Sequence, residues 1–194
     1  MIATPRLVQT GLWRRMDCPG LERYEVRSGA HEWVLRGTIL VMAENFPAEA
    51  RYEIVCDDSW LTRRADIFVR DRSGERSLTV VAENGVWLAN GARSDAIEGC
   101  ADIDLEWSPS TNTLPIRRLR LAVGESSGVV TAAWVRFPSL EIQPLSQEYE
   151  RVAPNGYRYA SGGGTFIAKL EVDEEGLVID YEGVWRRELA KSSL

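Results

Sequence analysis

The sequence predicts a mainly β protein: a single antiparallel, strongly curved sheet forming a β-roll or half-barrel, with one short helix near 113–120. Three observations predict it. Apolar and polar residues alternate with period two in run after run along the chain. The 16 glycines and 8 prolines fall mostly between those runs, as a chain with many turns requires. Only the segment 108–121 breaks the pattern. A length of 194 residues suits one hydrophobic core, and no linker, repeat or low-complexity tract divides it, so residues 1–194 are read as one domain.

The elements follow in order. The stretch 32–43, EWVLRGTILVMA, is a long apolar strand, and 51–58 places Tyr52, Ile54 and Cys56 on one face. In 64–70, Ala65, Ile67 and Val69 oppose Asp66 and Phe68, and Leu78, Val80 and Ala82 resume the alternation after a turn at 72–75. Glu83-Asn84-Gly85 reads as a hairpin turn into Val86-Trp87-Leu88, because Asn-Gly readily supplies positive φ. Along 101–107, Ile103, Leu105 and Trp107 share one face and Asp102, Asp104 and Glu106 the other. Strands are expected at 129–137, 140–142, 157–159 and 165–172. Asp173-Glu174-Glu175-Gly176 turns into a strand at 177–181, and a last strand is expected at 184–189. Within SPSTNTLPIRRLRL, Thr111 or Thr113 is the expected cap of one or two helical turns, since proline is tolerated in a first turn. So many strands in one domain must curl to hide their edges, and a curled sheet often leaves an apolar cavity on its concave side.

Composition narrows the partners. A formal charge of −6 argues against nucleic acid. The residues 1–6 lack the pattern of a signal peptide, and no apolar run reaches a membrane span, so a cytoplasmic protein without a transmembrane segment is expected. Cys18, Cys56 and Cys100 form no metal or redox spacing and are expected as free, buried thiols. With His31 the one histidine, a multi-histidine metal site is impossible, and no metal or cofactor is expected. There is no Gly-x-Ser-x-Gly elbow and no phosphate loop; Gly162-Gly163-Gly164 reads as a turn before the strand at 165.

Asp102 and Asp104 remain as a candidate acid–base pair, because two carboxylates on one strand face can split their pKa values. The favoured reading is structural: ion pairs with Arg117, Arg118 or Arg120, or with Arg63 and Arg64 across the sheet. Asp57 and Asp58 are expected to cap a turn. The seven tryptophans are mostly core, with some able to line an apolar pocket.

One string is distinctive. Gly99-Cys100-Ala101-Asp102-Ile103-Asp104-Leu105 followed by Thr111-Asn112-Thr113-Leu114-Pro115-Ile116-Arg117-Arg118-Leu119 resembles the signature of the putative glycolipid-binding bacterial family. Tyr52, Asp58-Ser59-Trp60-Leu61-Thr62-Arg63, Gly85-Val86-Trp87, Pro138, Gln147, Tyr149, Val172-Asp173, Gly176-Leu177-Val178 and Tyr181 match in the same order. The chain departs from the pattern at Ser110, where the family tends to carry Phe, and at Glu182, where it tends to carry Pro. The resemblance implies a rolled sheet similar to bacterial lipoprotein carriers, with an acyl-chain ligand on the concave face. The ligand-binding residues expected on that basis are Trp60, Arg63, Asp102, Asp104, Asn112, Arg117, Arg118, Tyr149 and Tyr181. The leading reading is a binding protein for a glycolipid or other amphipathic molecule, with an arginine on its polar or anionic head. The alternative is a structural or interaction domain, in which Arg117→Ala is expected to destabilise strongly. A hydrolase using Asp102 and Asp104 ranks last.

Overall fold

The computed structural model describes residues 4–83 and 85–188. Fifteen strands form one sheet, in the order β8-β7-β6-β5-β4-β3-β2-β1-β15-β14-β13-β12-β11-β10-β9. The first meander is β1 (Arg6–Arg15), β2 (Gly20–Ser28), β3 (Glu32–Ala43), β4 (Phe46–Asp57), β5 (Thr62–Asp71), β6 (Gly74–Glu83), β7 (Val86–Ala89) and β8 (Ala92–Arg93). The second is β10 (Val130–Val135), β11 (Ile142–Ala153), β12 (Gly156–Ser161), β13 (Phe166–Val172), β14 (Val178–Tyr181) and β15 (Trp185–Glu188). Pairing of β1 with β15 joins the two, with Leu12 opposite Glu188 and Arg15 opposite Trp185. Between them runs a crossover that holds β9 (Asp102–Leu105), a 3-10 turn (Ser110–Asn112) and the helix α1 (Thr113–Leu119).

Alternation decides which face is inside. On β5, Ala65, Ile67 and Val69 are buried, while Arg64 and Arg70 are exposed. The same phase buries Ala48, Ala50, Tyr52, Ile54 and Cys56 on β4, and Tyr157 and Tyr159 on β12. One cross-strand row explains part of the curvature. Gly11 lies opposite Tyr24, Tyr24 opposite Gly37, and Gly37 opposite Tyr52. Glycine on every second strand lets a tyrosine ring lie back over the neighbouring backbone. A Cβ at Gly11 would fall 2.6 Å from the Tyr24 hydroxyl, and one at Gly37 would clash with the hydroxyl end of the Tyr52 ring.

The crossover fills most of the hollow inside the roll. Ile97, Ile103, Leu105, Leu114 and Ile116 are buried there against the sheet. Trp87 Nε1–H donates to the Cys100 carbonyl at 3.0 Å, which pins the start of the crossover, and Trp107 stacks on Phe137 at 5.1 Å. The two sheet edges are both short, as an unaggregated sheet requires. The β8 edge is two residues long, and the β9 edge meets Thr62 of β5, whose Oγ1 accepts the Ile103 N–H at 3.1 Å.

The architecture is the expected curved, unclosed sheet with one short α-helix among the described residues. Several details differ. The β9–β10 pair is parallel, because the helical segment between them returns the chain to the end at which β9 began. Strands β1 and β2 were not read from sequence: arginines and glutamates interrupt their apolar phase. The expected strand at 140–142 meets β11 only at Ile142, its first residue, and Leu140 sits at φ 62 in the turn before it. Neither Thr111 nor Thr113 caps the helix; Thr111 Oγ1 accepts the Leu105 N–H instead, and the Thr113 hydroxyl is buried without a partner among the described residues. All three cysteines are free, but Cys18 is only partly buried. Asn84 and Leu189, parts of the expected turn and last strand, and Met1, Ile2 and Ala3 lie outside the described residues.

Candidate functional site

What the crossover leaves unfilled is a half-open cleft of about 440 Å³ on the inner face. Strands β10 to β15 form its wall and the run from Asp104 to Asn112 its floor. The volume sits low in the usual range for small-molecule sites, about 300–1,000 Å³. Three kinds of side chain converge on it. Trp134, Tyr159, Phe166, Tyr181 and Trp185 are aromatic, Ser108, Asn112 and Ser161 carry amide or hydroxyl groups, and Asp17, Asp104 and Glu106 are carboxylates. Inward phasing puts Tyr159 and Ser161 there from β12, and Phe166 from the start of β13.

The aromatic rings set one another. Tyr159, Phe166 and Tyr181 meet edge to face, with centroids 5.9 to 6.1 Å apart. The polar groups form a chain. Gln147 spends both N–H donors of its amide, on Asp104 Oδ2 at 2.6 Å and on the Tyr159 hydroxyl at 3.0 Å. The Tyr149 hydroxyl donates to Asn112 Oδ1 at 3.0 Å, and Asn112 Nδ2 donates to the Pro109 carbonyl, so this amide is held from both ends. Burial pushes the Asp104 carboxyl up to about 6, and nearby Glu106 and Asp102 add to that against the Gln147 hydrogen bond.

Behind the floor lies a second polar network. Glu22 points inward from β2 and is fully buried. Its Oε1 accepts from the Tyr52 hydroxyl at 2.6 Å and from Ser108 Oγ at 2.8 Å, while Oε2 has no partner among the described residues. Ser110 Oγ lies 2.8 Å from the Tyr52 hydroxyl and 2.7 Å from Ser108 Oγ, within hydrogen-bond reach of both. Burial raises the Glu22 carboxyl to about 8, against the pull of the two hydroxyl donors, so the acid is mostly neutral at pH 7. Ser110, the departure from the family's Phe, is thus a buried member of this network. The one sequence signal for Glu22 is its phase: it shares a face with Tyr24 and Val26.

The nine residues singled out from sequence separate in space. Asp104, Asn112 and Tyr181 line the cleft, and Tyr149 stands behind Asn112. Asp102 is buried and held bidentately by Arg118, Nε at 3.1 Å and Nη2 at 2.6 Å; burial still raises its pKa, with Arg118 pulling the other way. Arg117 lies on the opposite side of α1, its guanidinium 5.3 Å from the Trp60 ring and 6.0 Å from Trp33, with Glu175 at 3.5 Å. Trp60 is buried against Trp33. Arg63 is half exposed and pairs with Asp57, whose other oxygen accepts from Ser59 and Leu61 N–H in the expected turn. The acid–base pairing of Asp102 with Asp104 has little left to work with, since one member is clamped and only Asp104 is free of a cation.

The fold and the cleft define the class first: an open, rolled β-sheet that carries its own crossover segment and a partly filled cleft on the inner face. The family follows. Residues 10–187 match the family described as "Putative glycolipid-binding", and the chain belongs to it. A solved structure of a DUF1089 family protein from Pseudomonas aeruginosa is 34% identical, with a TM-score of 0.78 over 86% of this chain and 92% of that one. No curated protein matches. No helix among the described residues is long and apolar enough to cross a membrane.

Proposed function

We propose that the chain binds a glycolipid-like amphiphile, with the sugar or other polar head in the cleft and the acyl chain leaving past its rim. The observation that carries this is the convergence of aromatic rings and hydrogen-bonding groups on one half-open cleft of about 440 Å³. Aromatic faces suit the C–H faces of a sugar ring, and Asp104, Asn112 and Ser161 suit its hydroxyls. The cleft is too small to enclose a whole lipid, so the chain must run outside. Phe166, 40% exposed at the cleft, provides apolar surface for it. Each methylene so covered contributes about 0.8 kcal/mol. The family to which the chain belongs supports the same ligand class.

Native mass spectrometry tests this, with dodecyl maltoside as the probe. Wild type is expected to retain one molecule, and Ser161→Trp, which fills the cleft from its wall, to lose it. Equal retention by both, or none by wild type, overturns the reading. The crossover favours a second reading, a scaffold without small ligand, because its Leu114, Ile116 and Ile103 are themselves packed into the core. That reading predicts no retained probe in either protein.

A further inference from the structure

The cleft's charge is one-sided. Three carboxylates line it, with no lysine or arginine among the lining residues. Two of the three are already answered by cations: Asp17 by Arg15 at 2.7 Å, and Glu106 by Arg136 at 3.2 Å with the Phe137 N–H at 2.7 Å. Asp104 is different. The neutral Gln147 amide donates to its Oδ2, and Oδ1 makes no hydrogen bond among the described residues. No guanidinium or ammonium among the described residues forms an ion pair with it, and the neighbouring Glu106 and Asp102 carry the same charge sign.

Asp104 is partly buried at the cleft, and a carboxylate there without a cation carries a charge that a ligand cation can compensate. A sugar hydroxyl would satisfy Oδ1 but leave the charge uncompensated. An ammonium would do both, through a charge-assisted hydrogen bond. The neighbouring surface suits the same group. Tyr159, Phe166 and Tyr181 are clustered beside Asp104, and ring faces attract a cation. Phosphate, sulfate and carboxylate heads would face the uncompensated Asp104 charge here. The sequence alone suggests a polar or anionic head met by Arg117, Arg118 or Arg63; the cleft favours a cationic one. Those three guanidiniums lie outside the cleft lining.

We infer that the head group taken by the cleft bears an ammonium, as on an amino sugar or a long-chain amine, seated between Asp104 Oδ1 and the Tyr159–Phe166–Tyr181 rings. This deepens the reading of the cleft as a ligand site and rests on it.

The test is isothermal titration below micelle concentration with three amphiphiles of one chain length: dodecylammonium, dodecyl maltoside and dodecyl sulfate. Each is titrated into wild type, Asp104→Asn, Gln147→Lys and Ser161→Trp, with folding checked by thermal melts. Wild type is expected to bind dodecylammonium about tenfold or more tighter than the maltoside, the margin of a charge-assisted bond, and dodecyl sulfate weakest. In Asp104→Asn the ammonium-to-maltoside ratio falls to about one. Gln147→Lys gives the same result by supplying the cation internally, and stands in if the first variant does not fold. A maltoside affinity equal to or above that of the amine overturns the inference, as does an unchanged ratio in either variant. Either result leaves the cleft reading intact so long as Ser161→Trp abolishes maltoside binding. Loss of all three ligands from wild type sinks both.

Discussion

Glu22 is buried without a cation, and replacing it by glutamine should flatten the pH dependence of stability. The folded chain holds the Glu22 proton up to about pH 8, whereas the unfolded chain releases it near 4.5. Between these values the folded state binds more protons than the unfolded state, so stability falls as pH rises. One pKa unit corresponds to 1.36 kcal/mol, so this single group removes about 3 to 4 kcal/mol between pH 5 and pH 8. Glu22→Gln keeps an acceptor oxygen for the Tyr52 and Ser108 hydroxyls and has nothing to ionise. Its amide nitrogen takes the place of Oε2, which already lacks a partner among the described residues. An unmade hydrogen bond there costs roughly 1–3 kcal/mol, but equally at every pH. The slope is therefore diagnostic and the offset is not. Urea unfolding followed by tryptophan fluorescence at pH 5, 6, 7 and 8 reads both chains. The raised pKa values of Asp102 and Asp104 act in both and cancel in the difference. The variant should gain on wild type by about 3 to 4 kcal/mol over that range. Parallel curves would refute the argument, because they would mean that Glu22 ionises in the folded state as readily as in the unfolded one.

Two further substitutions check the packing. Arg118→Ala leaves Asp102, 4% exposed at its side chain, buried and unpaired, and should cost about 3–5 kcal/mol. Arg117→Ala should cost far less, on the order of 1 kcal/mol, since its contact with Glu175 is long and its main gain is over the Trp60 ring. Chemical denaturation of the pair would contradict this if the order were reversed. Gly37→Ala forces a methyl against the hydroxyl end of the Tyr52 ring and should cost about 1–3 kcal/mol, with the Tyr52–Glu22 bond displaced. A melting temperature equal to wild type would show that the ring yields freely.

Much of the fold is legible in local pattern, and the site much less so. The run around Ala65, Ile67 and Val69 states its own inward face, because side chains on a strand alternate whatever the strand pairs with. The Thr113–Leu119 helix is legible from Pro115 and the loss of period two. Strand β2 was missed for the same reason that makes it interesting: Glu22 occupies an apolar phase position, and an acid there reads as polar surface until its surroundings are known. The arginines show the limit most clearly. Arg117 and Arg118 are adjacent in sequence, and nothing local tells which one finds Asp102. Helix geometry turns them apart, so one ends in a buried bidentate pair and its neighbour against tryptophan.

The residues alone determined the strand-rich, curled architecture and the chemical types available for a site, because period, turn residues and composition act over a few neighbours. Only the tertiary structure decided where the hollow lies and what charge it carries. The crossover from β8 to β10 fills most of the roll, and long-range pairing brings β9 beside β10 and leaves Asp104 facing aromatic rings with no arginine. Burial and the distance between charges set that outcome, and both belong to residues far apart in the chain.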